Sequence, residues 1–129
     1  MTTSIRLRTA GVDLIGELDD SPTAAAFRKR LPTTLRMSRW GEEYYGRIDA
    51  DLGVGETDDA REVMEVGELA YWPVGNALCV FFGPTPASEG GEPRAASPVN
   101  PMGRLKGGVE NLKALPQEIE VRVTLLDPD

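Results

Sequence analysis

Histidine is absent from this chain of 129 residues, and cysteine occurs once, at Cys79. Zinc sites and Ser-His-Asp or Cys-His catalysis need residues that the chain does not have. A lone cysteine closes no intramolecular disulfide, which fits a reducing compartment, the cytoplasm. The chain has no apolar run of membrane-spanning length, and its start, MTTSIRLRTAG, lacks the apolar stretch of a secretion signal. Bases are the minority: 14 Lys and Arg stand against 21 Asp and Glu, a net charge of −7. Such a surface repels phosphate backbones and anionic lipids, so neither nucleic acid nor membrane is an expected partner. Gly53-Val54-Gly55 has no lysine or helix behind it and is no phosphate loop. Asp49, Asp51, Glu56, Asp58 and Asp59 lack the spacing of a calcium loop. No metal and no cofactor is expected.

Hydrophobic content of 40% and charged content of 27% describe a soluble globular chain. Its length suits one domain over residues 1–129, large enough to bury a core without staples. Ile5 and Leu7 alternate with Arg6 and Arg8, and after Gly11 the residues Val12, Leu14, Gly16 and Leu18 share one face; this predicts a hairpin. Near the end, Ile119, Val121, Val123 and Leu125 alternate with Glu118, Glu120, Arg122 and Thr124. A first strand with outward arginines and a last strand with outward glutamates should pair and close a sheet.

Ser21 suits a helix N-cap and Pro22 the first helical position. Ala24, Phe27 and Leu31 then fall on one helical face, and Pro32 stops the helix. A second short helix is predicted over residues 107–115, with Val109, Leu112 and Leu115 on one face and Pro116 as the stop. LRMSRWGEEYYGRI reads as strand, turn at Gly41, strand. Residues 49–67 are acidic and loop-like, with a helical turn near Ala60. Residues 84–101, rich in Pro, Gly, Ser and Glu, read as a long irregular surface connection. Many strands and two short helices predict a mainly β fold, a barrel with helices over its ends.

Trp40, Tyr44 and Tyr45 flank the Gly41 turn. They serve either as cross-strand packing or as an aromatic wall for a ligand. Arg39 could hold a carboxylate or amide oxygen, or pair with Glu42 or Glu43. Cys79, between Leu78 and Val80, reads as a small hydrophobe with no base to activate it. In the stretch GELAYWPVGNALCVFFGPTP both faces of both strands are apolar, so each face needs cover. A second copy of the chain is one such cover, which would make a homodimeric interaction module.

GELAYWPVGNALCVFFGP followed by PMGRLKGGVENLKAL resembles the C-terminal half of cyclophilins, with Gly103, Arg104, Leu105, Gly108, Val109 and Leu112 in register. ELDDSPTAAAFRKRLP, SRWGEEYY and the 67–86 hairpin are similar to a family of small prokaryotic proteins with a cyclophilin-like fold and no assigned activity. The resemblance covers nearly the whole chain. It implies a closed eight-stranded cyclophilin-like β-barrel capped by two short helices. It also implies a surface groove beside the hairpin, toward which Trp72, Pro73, Ala77, Cys79 and Phe81 would face. The cyclophilin signature of a strand Arg followed by Phe-Met-x-Gln-Gly-Gly-Asp is missing from RMSRWGEEYYGRI, as are the Trp and His of the groove's far wall. The expected function is therefore binding of a small ligand or peptide in that groove, with Arg39, Trp40, Tyr44, Trp72, Pro73, Cys79 and Phe81 as candidate contacts. A divergent prolyl isomerase is the alternative.

Overall fold

The computed structural model describes residues 2–126 and is mainly β. Its strands are β1 (Thr3–Thr9), β2 (Val12–Leu18), β3 (Thr33–Arg39), β4 (Glu43–Arg47), β5 (Arg61–Val63), β6 (Glu68–Trp72), β7 (Ala77–Phe81), β8 (Arg94–Leu105) and β9 (Glu118–Leu125). Helix α1 (Pro22–Arg28) follows β2, and a 3-10 helix (Val109–Ala114) precedes β9. Antiparallel pairing runs β2-β1-β9-β3-β4-β7-β6-β8, and β8 returns to β2. Eight strands thus form a ring. Strand β5 pairs with the first half of β8, off the ring. Among the described residues, no helix is long and apolar enough to cross a membrane.

The local signals explain most elements. The Ser21 hydroxyl accepts a hydrogen bond from Ala24 N at 3.1 Å, and Pro22 opens α1. The helix ends at Arg28, earlier than the spacing of Leu31 suggests, and buries Ala24 and Phe27. The second predicted helix is a single 3-10 segment that buries Leu112. Strands β1 and β9 do pair, but not through complementary charge: Arg8 lies opposite Arg122. Instead Arg6 and Arg8 pair with Asp13 of β2, while Glu118 and Glu120 lie opposite Ser38 and Arg36 of β3.

Two segments differ from their sequence reading. The residues before Ala60 make one isolated turn, in which Ala60 N donates to Thr57 O at 3.1 Å, and then lead into strand β5 and not into a helix. Residues 84–101 are irregular only at first; Arg94 begins a twelve-residue strand. Proline cannot donate to a ladder and is confined to edges and bulges. Pro101 sits opposite Ala70 where the β6–β8 register shifts. Strand β8 changes partner along its length, from β5 at Arg94 and Val99 to β6 and finally to β2.

The two-faced hairpin finds a cover on each side. Leu69, Tyr71, Leu78, Val80 and Phe82 point into the ring and join its main core. Ala70, Cys79 and Phe81 point outward and pack with Met64, Ala95 and Val99 in a second cluster, with Trp72 at its margin. The first half of β8 is therefore a lid over the outer face of β6 and β7, and it is continuous with the strand that closes the ring.

Candidate functional site

The outer face is only partly covered. Register places Glu43, Tyr45 and Arg47 of β4 opposite Phe81, Cys79 and Ala77 of β7. Next to them β6 brings Ala70 opposite Cys79 and Trp72 opposite Ala77. Where β8 stops short of β4, a cavity of about 260 Å³ remains. Trp40, Tyr45 and Trp72 wall it; Ala95, Ala96 and Val99 of β8 form the facing side. Glu43 and Cys79, only 4% and 1% exposed, lie at its floor.

The walls are held in place. Trp72 Nε1 donates to Ser97 Oγ at 2.7 Å, tying the indole to β8. Its other edge lies against Gly75, where an added Cβ would sit 2.4 Å from Trp72 Cε3. Tyr45 meets Trp72 edge to face, with ring centroids 6.5 Å apart.

Glu43 is the unusual residue. Two carboxylates are buried among the described residues, Glu43 and Glu68. Glu68 is satisfied: Arg61 grips it with Nη2 at 2.5 Å and Nη1 at 3.1 Å, and Glu65 N donates to it at 2.9 Å. Glu43 Oε1 is buried with no partner. Desolvation lifts the Glu43 carboxyl from 4.5 to about 7, against a lesser opposing pull from hydrogen bonding with the Cys79 thiol. Burial pushes Cys79 well above the usual thiol range, and the neighbouring carboxylate of Glu43 adds to this. Cys79 is thus a protonated thiol at neutral pH and a poor nucleophile. Among the described residues no group of three or more potential ligands could hold a metal ion.

The residues singled out from sequence separate into four places. Trp40, Trp72 and Cys79 meet around the cavity. Phe81 is fully buried beside Cys79, in the packing behind it, and Pro73 starts the β6–β7 turn. Arg39 and Tyr44 lie on the opposite side of the sheet. Tyr44 stacks on Phe82 in the ring core, and its hydroxyl donates to Pro116 O. Arg39 donates to Gly41 O, Lys113 O and Leu115 O and lies 5.1 Å over the Phe82 ring, so it secures the end of the 3-10 helix. Glu43 is a site residue that the sequence does not single out, because a glutamate beside a turn reads as a surface charge. The available signal was period-two spacing, which puts it on one face with Tyr45.

Comparison with known proteins agrees with this architecture. Residues 3–124 match the family described as Cyclophilin-like. The solution structure of the hypothetical protein AF2241 from Archaeoglobus fulgidus superposes with a TM-score of 0.77 at 31% identity, covering 96% of this chain and 95% of that one. McbB, solved in complex with tryptophan, superposes with a TM-score of 0.71 at 17% identity, a likeness of fold. The match covers 97% of this chain but 45% of McbB. No curated protein matches the sequence. Family match and shared fold together place this chain in the cyclophilin-like family.

Proposed function

We propose that this protein binds a small molecule in the cavity between β4, β7 and the first half of β8. The observation that carries this is a preformed apolar cavity with three aromatic walls and one unpartnered polar atom at its floor. Binding sites for small molecules have that composition: apolar lining plus a few placed polar groups. A volume of about 260 Å³ lies near the small end for such sites, which favours a compact ligand over a long peptide.

Prolyl isomerisation finds less support. It calls for a cation near the prolyl amide, whereas no Lys or Arg lines this cavity and its one ionisable carboxyl is acidic. Arg39 is engaged with backbone carbonyls on the other side of the sheet. A homodimer finds less support, since β8 of the same chain packs on much of the hairpin's outer face.

The test is a fragment screen read by chemical shifts in NMR. Bound fragments should move the resonances of Trp72, Ala95 and Val99. Gly75→Ala, which forces the indole aside, should weaken those fragments by about tenfold, about 1.4 kcal/mol, while the fold stays intact. Fragments that shift only distant residues, or bind the Gly75→Ala variant equally well, would remove the cavity as the site.

A further inference from the structure

The cavity has one chemical pole, and it is negative. Glu43 carries a buried oxygen with no donor. The other lining residues supply no compensating cation: Ala95, Ala96 and Val99 from β8, Trp40 and Tyr45 around the β3–β4 hairpin, Trp72 from β6 and Cys79 from β7. The indole N–H of Trp72 is already used by Ser97. An anionic ligand would face a carboxylate with nothing to offset it. A cation would restore the missing partner, and aromatic faces attract a cation through their quadrupoles. A protein charge of −7 favours the approach of a positive ligand as well.

We propose that the ligand of this cavity is a small organic amine, its ammonium group donating to Glu43 Oε1 and its flat apolar body lying between Trp40, Tyr45 and Trp72. This rests on the cavity being the binding site and adds the class of ligand. The pairing is linked to protons. An ammonium needs the ionised carboxylate, so binding should strengthen as pH rises through about 7, where Glu43 loses its proton. The titratable groups facing Glu43 are Cys79 of β7 and Tyr45 of its own strand; β8 contributes only Ala and Val to the lining. Glu68 of β6 shares this sheet face and is held by Arg61 of β5.

Three probes with one phenyl body separate the possibilities: 2-phenylethylamine, 2-phenylethanol and 3-phenylpropionate. Each is titrated by NMR into wild type and Glu43→Gln at pH 6 and pH 8. The amine should bind wild type at pH 8 at least about tenfold tighter than the alcohol, about 1.4 kcal/mol. The propionate should bind weakest. The amine's advantage should shrink at pH 6 and vanish in Glu43→Gln. Equal binding of amine and alcohol, or an amine preference that survives Glu43→Gln, would overturn the amine assignment and leave the cavity as a binding site. Tighter binding at pH 6 would also overturn it, since a neutral acid would then be donating to an acceptor. If no probe shifts Trp72, Ala95 or Val99, the cavity reading falls together with the amine.

Discussion

Replacing Glu43 by glutamine should make this protein more stable, and only above about pH 4.5, where the carboxyl of the unfolded chain is charged. Below pH 4.5 the carboxyl is protonated folded and unfolded, and wild type and variant should unfold alike. As pH rises from 4.5 to about 7, the unfolded chain releases its proton while the folded chain holds it. The folded state then binds more protons than the unfolded one, so wild-type stability falls with pH. Above about 7 the loss is complete. The interval from 4.5 to about 7 corresponds to about 3 kcal/mol. Glutamine keeps the shape, removes the charge and should recover most of that. Urea unfolding from pH 4 to pH 8 reads the effect directly: the gap between variant and wild type should open with pH and then level. Glu68→Gln should go the other way and destabilise, because it removes one side of the Arg61 grip. Opposite signs at two buried glutamates on one sheet face would separate an unpaired carboxyl from a paired one. A substitution that stabilises but costs ligand affinity is the signature of a functional site.

The second large effect lies at the seam of the ring. Strands β2 and β8 meet over three residue pairs, with Gly103 opposite Leu18. A Cβ at Gly103 would lie 2.0 Å from Glu17 O and 3.1 Å from Leu18 Cα. Both are backbone atoms, so no rotamer change relieves the clash, and the strands must part. Gly103→Ala should cost about 3 kcal/mol, at the upper end of overpacking effects. Denaturant midpoints should show a clear loss. Gly55→Ala, whose Cβ meets nothing within 4 Å, serves as the control and should be near neutral.

Local chemistry made much of the fold legible. The β1–β2 and β3–β4 hairpins, the Ser21-Pro22 helix start and the two-faced hairpin of β6 and β7 all follow from period, turn and cap residues within a few positions. Strand β8 was not legible, because Pro98 and Pro101 mark a segment as irregular unless bulges accommodate them, and those irregularities are set by pairing with β5 and β6. Pairing of β1 with β9 could be foreseen, but not its charges, since Asp13 of the neighbouring strand takes both arginines. The site was half legible. Trp40, Trp72 and Cys79 could be placed near a cleft, whereas Glu43 could not, because its place on the covered face is set by its register opposite Phe81 of β7, remote in sequence. Arg39 and Tyr44 show the same limit from the other side: alternation puts Tyr44 on one face or the other, and only the packed ring fixes which.

The unpaired carboxyl at the floor of the cavity underlies both the stability change and the ligand class, and it can be observed alone. Carbon-13 NMR of the Glu43 side-chain carboxyl, followed from pH 3 to pH 9 with Glu43→Gln to assign the signal, gives its titration midpoint. A midpoint near 7 is expected for a buried carboxyl with no cation beside it and only the Cys79 thiol as a hydrogen-bond partner. A midpoint at or below 4.5 would mean that the carboxylate is solvated or paired, and would contradict the proposed role of Glu43 in this cavity.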